Sequence, residues 1–202
     1  MTGAALKSTE TFEFTPENNE WAQGQIKKYP EGKQASAVMP LLHRAQEQNN
    51  GWLSTAAIEY VADYLDMPKM RVMEVATFYT MYNHKPVGKH VIEICTTTPC
   101  WLRGSDDIVA AATDELGVKM GQTTDDGEFT LLEVECAGAC VNAPVCAIHK
   151  EYYEDLTPDS MRQIIKDLKA GKELKAGPQN GRHRSEPLGG PTTLADFVKA
   201  EG

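Results

Sequence analysis

Apolar residues recur at i, i+3, i+4 and i+7 three times in the first half of the chain. The quartets are Val38, Leu41, Leu42, Ala45; Ile58, Val61, Ala62, Leu65; and Val72, Val75, Ala76, Tyr79. Each draws one buried stripe along a helix of 3.6-residue period. Breakers separate them: Asn50-Gly51 ends the first, Ser54 caps the second, and Pro68 opens the third. A helix further upstream is marked by its start. Thr15 is placed as N-cap, Pro16 is pre-set for the first helical position, and Glu17 faces the positive end of the dipole. It should run to about Lys28, where Tyr29-Pro30-Glu31-Gly32 breaks it. The pattern predicts a flexible N-terminus over residues 1–14 and a four-helix leader over residues 15–84.

After the linker Lys85-Pro86-Val87-Gly88-Lys89 the period changes. His90 to Ile94 reads as a strand with Cys95 at its carboxyl end. Ser105-Asp106-Asp107 signals a helix cap and acidic first turn, with Ile108, Ala111, Ala112 and Leu116 on one face and Gly117 as stop. Val118 to Thr124 is predicted as a second strand, parallel to the first because a helix joins them. Asp125-Asp126-Gly127 turns the chain, and Phe129 to Glu135 is a third strand. Ala147 to His149 and Tyr152-Tyr153 form a closing hairpin. Thr157-Pro158-Asp159 starts a last helix with the stripe Met161, Ile164, Ile165 and Leu168, ending at Ala170-Gly171. Helical leader, then strand, helix, strands and helix, make an α+β chain whose residues 85–172 match a thioredoxin-like layer. From Glu173 the composition turns to Gly, Pro and polar residues until Leu194-Ala-Asp-Phe-Val198, a composition that by itself reads as a disordered tail over residues 173–202.

A chain of 202 residues with 29 acidic and 20 basic side chains, net charge −9, is a poor partner for phosphate backbones. Residues 52–80 could be drawn as a helix-turn-helix, but the second helix carries only Lys69 and Arg71 as cations, which excludes a DNA reader. No apolar run approaches the roughly 18 residues of a membrane helix, so no direct membrane insertion is expected. Met1 to Glu10 has no arginine and already an acid, unlike an organelle presequence. That points to a bacterial or already mature chain.

The chemistry lies in four of the five cysteines: Cys95-Thr-Thr-Thr-Pro-Cys100 and Cys136-Ala-Gly-Ala-Cys140. Two thiolate pairs supply the donor count of a [2Fe-2S] cluster. Nothing larger than a methyl lies between Cys136 and Cys140, so peptide N–H groups can approach the sulfurs. Structural zinc takes the same thiolates at similar spacing and stays open as a zinc-stapled assembly module. Disulfides fit neither the odd cysteine count nor the missing secretory signal, and a C-x-x-C redox pair is absent. Rieske-type ligation would need two histidines; His43, His84, His90 and His183 are far from any cysteine, and His149 is near only Cys146. Cys146, in the apolar run Val145 to Ile148, reads as a small buried hydrophobe. No glycine-rich dinucleotide fingerprint occurs, so no NADH or flavin site is expected on this chain.

Longer motifs carry a resemblance. Glu74-Val-Ala-Thr-Phe-Tyr79, Lys85-Pro-Val-Gly-Lys89, Cys95 to Cys100, Leu102-Arg-Gly-Ser105, and Glu133-Val-Glu-Cys136 through Cys140-Val-Asn-Ala-Pro144 resemble the small iron–sulfur subunit of the NADH-oxidising module of respiratory complex I. The resemblance spans most of the chain from about Phe14. It implies a thioredoxin-like ferredoxin domain with one [2Fe-2S] cluster on Cys95, Cys100, Cys136 and Cys140. It also implies a flavoprotein partner that holds FMN and NAD, other peripheral-arm subunits, and an electron-carrying part in NADH:quinone oxidoreductase. The location implied is peripheral, on the cytoplasmic side of a bacterial inner membrane or the matrix side for a mature organellar chain. Chains of NAD-reducing hydrogenases and formate dehydrogenases share the cage and the leader, so that context is the alternative. Gly181-Arg-His-Arg-Ser-Glu-Pro187 through Thr193 resembles a tail that lies along a neighbouring subunit, which implies that residues 173–202 are an extended tail ordered by a partner.

Overall fold

The computed structural model describes residues 11–190 and 192–193. The Met1–Glu10 segment and the apolar Leu194–Val198 stretch lie outside the described residues. The chain divides between Val87 and Gly88 into two compact units.

The first unit is helical: α1 (Pro16–Ile26), α2 (Val38–Gln48), α3 (Thr55–Tyr64) and α4 (Lys69–Phe78), with a 3-10 turn Gln34–Ala37 leading into α2. The caps work as the sequence requires: Thr15 accepts from the Asn18 N–H and Ser54 from that of Ala57. The stripes of α2 and α3 are buried in one core with Leu53, Val72 and Ala76. In α4 the predicted stripe is cut short. Pro68 is its N-cap instead of its first residue, and the backbone turns extended at Tyr79. Tyr79 therefore stands exposed, and Tyr82 takes the core position, its hydroxyl donating to the Met39 carbonyl at 3.0 Å. Helix α1 buries only Ala22. Polar contacts supplement that burial: Gln48 of α2 accepts from the Thr15 N–H and the Asn18 amide and donates to the Glu13 carbonyl. Phe12, Phe14, Tyr60 and Tyr64 pack edge-on beside it, with Phe14 buried, so the chain has already joined this unit by residue 12.

The second unit carries β1 (His90–Cys95), α5 (Thr98–Leu102), α6 (Ser105–Leu116), β2 (Gln122–Thr123), β3 (Phe129–Val134), β4 (Cys146–Ile148), β5 (Glu151–Glu154), α7 (Pro158–Lys169) and β6 (Gly177–Pro178). The strands form one sheet in the order β2-β3-β1-β4-β5-β6. Strands β1 and β3 are parallel and joined through α6, while β4 is antiparallel to β1 and β5 to β4. Helices α6 and α7 turn Ile108, Ala111, Ala112, Met161, Ile164, Ile165 and Leu168 into a core with Ile92, Ile94, Leu131 and Ile148. A capping box at Thr157 and Ser160 starts α7.

Two expectations are corrected here. The strand after α6 is two residues long, not seven, and lies antiparallel to β3 at the sheet edge; β3 is the strand parallel to β1. The tight Asp125-Asp126-Gly127 turn closes a hairpin, so the segment after α6 pairs with the strand that follows it and leaves the central place to β3. Ser105 does not cap α6. Gly104, at φ 93°, occupies the cap, and Ser105 is buried in the first turn. A short helix, α5, forms across the loop that carries Cys100, with Pro99 in its first turn where no N–H is needed.

Backbone packing is tight where the unit begins. The Gly88 N–H donates to Thr130 Oγ1 at 2.6 Å, and a Cβ on Gly88 would stand 2.7 Å from the Phe129 carbonyl carbon.

Candidate metal centre

Topology brings the cysteine loops together. The register pairs Cys95 with Val134, so parallel β1 and β3 deliver Cys95 and the loop beginning at Glu135 to the same end of the sheet. Because β4 enters antiparallel, with Cys146 opposite Ile94, the chain from Cys140 to Val145 arrives at that end as well. Cys95 and Cys100 are buried with Ala143 and Val145, while Val134, Ala137 and Ala139 pack against them. Cys136 and Cys140 are exposed, their sulfurs 3.4 Å apart. Thus four sulfurs stand as two pairs, one shielded and one open, at one end of the unit. Among the described residues, no three His, Cys, Asp or Glu groups are disposed to hold one metal ion.

Donors aim at these sulfurs. Burial pushes the Cys95 thiol up, but the Thr97 hydroxyl at 3.3 Å and backbone N–H groups of Ala137 and Thr97 outweigh it and hold the group below the usual thiol range. The Gly138 N–H, 3.4 Å from Cys136 Sγ, holds that thiol down too, with help from Cys140 and Thr97. Each pair has a counterpart in its second member. Cys100 is pushed up to about 12 by burial and by Cys95, and Cys140 is raised first by the proton it shares with Cys136. Gly138 serves this geometry through its left-handed conformation, φ 79°, in a loop that brings Cys140 back beside Cys136. Tyr152 braces the same loop by donating to the Ala137 carbonyl at 2.8 Å.

Cys146 lies apart in role: fully buried under the sheet and pushed up to about 12 by that burial. No histidine joins the cysteines. His90 and His149 meet each other at 2.6 Å at the opposite end of β1. Sequence reasoning missed Thr97 and Val145, whose carbonyl accepts from the Cys95 N–H at 3.1 Å. Thr97 sits in a threonine run where neither neighbour is distinguishable from it by type. It also missed how much of the tail is held by its own unit: β6 pairs with β5, and Arg182 bonds Asp155.

The donor set fits a cluster with two thiolates on each of two irons. It offers four sulfurs in two pairs, small residues around them, and N–H and O–H groups directed at sulfur instead of carboxylates. Thioredoxin-like layer and paired cysteines together define the class, a thioredoxin-like ferredoxin. Residues 22–169 match the family described as thioredoxin-like [2Fe-2S] ferredoxin. The E subunits of bacterial NADH-quinone oxidoreductases are similar over most of the chain. That of Rickettsia bellii is 58% identical over 158 residues, 78% of this chain and 95% of that one. That of Rickettsia prowazekii is 53% identical over 171 residues, 85% and 96%. This chain belongs to the family of NADH-quinone oxidoreductase E subunits, within the thioredoxin-like [2Fe-2S] ferredoxins. The fold is shared with an NAD+-reducing [NiFe]-hydrogenase in its H2-reduced state, at TM-score 0.57 and 19% identity over 66% of this chain and 23% of that one.

Proposed function

We propose that this chain is an electron-carrying subunit of NADH:quinone oxidoreductase and binds one [2Fe-2S] cluster through Cys95, Cys100, Cys136 and Cys140. The observation that carries the reading is the convergence of both cysteine pairs at one end of the β1–β3 sheet, in a chain 53–59% identical to E subunits of NADH-quinone oxidoreductase. Such a cluster, when bound, takes up and gives back one electron at a time. Cys95 and Cys100 are buried and would hold the shielded side; Cys136 and Cys140 would hold the side open to a partner. Thr97, Ala137 and Gly138 direct donors at sulfur, and donors at sulfur stabilise the more negative, reduced state.

The partner in this reading is a flavoprotein subunit that holds FMN and takes hydride from NADH, within a peripheral arm. Its support on this chain is an apolar rim beside the cysteines. Trp101 and Leu102 follow Cys100, Val141 follows Cys140, and all three are exposed. No helix among the described residues is long and apolar enough to cross a membrane, so attachment would run through partners. The test is reduction of the purified chain by NADH, followed by the visible spectrum. Bleaching should occur when the flavoprotein subunit is added and not without it. Bleaching by NADH alone, or none with the flavoprotein present, would overturn the assignment.

A further inference from the structure

Cys140 stands on a weak piece of structure. It opens a three-residue 3-10 turn, Cys140–Asn142, whose own backbone bonds are Asn142 N–H to Ala139 at 2.9 Å and Ala143 N–H to Cys140 at 3.4 Å. A turn with so few bonds of its own, and with Cys140 and Val141 exposed, opens readily unless it is held from elsewhere. A segment forty residues further on grips it from outside.

Arg182 is the centre of that grip. Its Nε and Nη2 donate to both oxygens of Asp155 at 2.8 and 2.6 Å, and Nη2 also donates to the Val141 carbonyl at 2.9 Å. The two side chains are 11% and 8% exposed, so this bidentate pair is largely withdrawn from water. The neighbouring residue is tied as well. Asn142, 1% exposed, donates its side-chain amide to the Arg184 carbonyl at 3.0 Å and to the Glu154 carboxylate, while its backbone carbonyl accepts from the Asp155 N–H at 2.7 Å. The segment is itself fixed by β6 on β5 and by the Gln179 N–H to Glu154 at 2.9 Å. Both residues that follow Cys140 therefore bond to a strap, residues 177–186.

We propose that Arg182 is a positioning residue for the cluster: through the Val141 carbonyl and Asp155 it fixes the Cys140 turn, and so the direction of the Cys140 sulfur. The proposal rests on the reading that Cys140 is a ligand. Arginine is needed because one planar fork must reach both Asp155 oxygens and a carbonyl at once. A lysine could keep the charge beside Asp155 but not that geometry. In this account the tail has a use within its own unit, apart from any partner it meets.

The experiment uses the full chain with its cluster, prepared without oxygen. Iron loss to a chelator is timed, the electron paramagnetic resonance spectrum of the reduced protein is recorded, and thermal melting is followed in parallel. Arg182→Gln should lose iron roughly tenfold faster or more, as outer-layer changes do at metal sites, and shift the resonance spectrum. Arg182→Lys should fall between it and the native chain. Arg184→Ala, which keeps the backbone carbonyl that Asn142 uses, should match the native chain. Ile165→Val, in the core under α7, controls for stability alone: it should lower the melting temperature and leave the spectrum unchanged. If Arg182→Gln does not fold, Arg182→Lys decides. Native iron retention with an unchanged spectrum in the Arg182 variants overturns the strap. A native chain free of iron and sulfide overturns the ligand reading instead, and the strap with it.

Discussion

The five cysteines show how position decides what one residue type does. Cys146 lies in β4 with its side chain under the sheet, where burial pushes the thiol up to about 12, and it has no access to the end where the other four meet. Cys136 stands in a loop of alanine and glycine with the Gly138 N–H on its sulfur. Serine is near-isosteric at both places but is a hard, weakly acidic donor. Cys136→Ser should abolish or alter the cluster spectrum; Cys146→Ser should leave it intact and change only the melting temperature. Loss of the spectrum in the second variant would show that the ligands have been misassigned. At this scale the sequence was informative for a definite reason: spacing and small neighbours single out the cysteine loops as candidates for ligand loops. It was uninformative about Thr97, because Thr96, Thr97 and Thr98 are alike until the fold turns one hydroxyl onto Cys95.

At the scale of elements, the reliable signals were those with both a period and a stop. The stripes of α2, α3, α6 and α7 were readable because each is amphipathic and ends at a breaker. The length and edge position of β2 were not, since its two residues are placed by the turn before β3 and by pairing, not by their own composition. The short α5 was hidden by Pro99, which reads equally as a turn or a helix start. Strand β1 has a chemistry at each end, cysteine at one and histidine at the other. His90, stacked on Phe129, meets His149 of the β4–β5 turn; burial, then His149 and Lys89, lower its pKa against the weaker opposing pull of Glu128. Protonation is therefore harder in the folded chain than in the unfolded one, whose histidine titrates near 6.5. Between the depressed folded value and 6.5 the unfolded state binds more protons, so stability rises with pH there and levels off above it. Urea melts from pH 7.5 down to pH 5 should show this decline in the native chain and a flatter profile in His90→Asn. Equal slopes in the two would refute the coupling.

For the whole molecule, two units with separate cores imply separable duties. The cysteine pairs, the donors to their sulfurs and the strap all belong to the unit that begins at Gly88, whereas the helical unit carries exposed Phe78, Met70 and Met81 and no part of the candidate centre. Such apolar exposure on an acidic chain suits a protein that works inside an assembly. Removing residues 1–83 should leave the cluster spectrum in place and sharply reduce co-purification with the flavoprotein subunit. Unchanged co-purification would refute a docking role for the helices. The fold class and the cysteine loops could be read from sequence because they rest on local period and spacing. The hold of residues 177–186 on the Cys140 turn could not, because it joins polar residues forty positions apart and leaves no periodic trace.

Whether four sulfurs share one inorganic core is measurable directly. Iron, zinc and acid-labile sulfide should be counted per chain in anaerobically purified protein, together with the electron paramagnetic resonance spectrum of its reduced form. Two irons and two sulfides, with a one-electron signal that appears on reduction, are predicted. One zinc without sulfide, and no signal on reduction, would contradict the shared core.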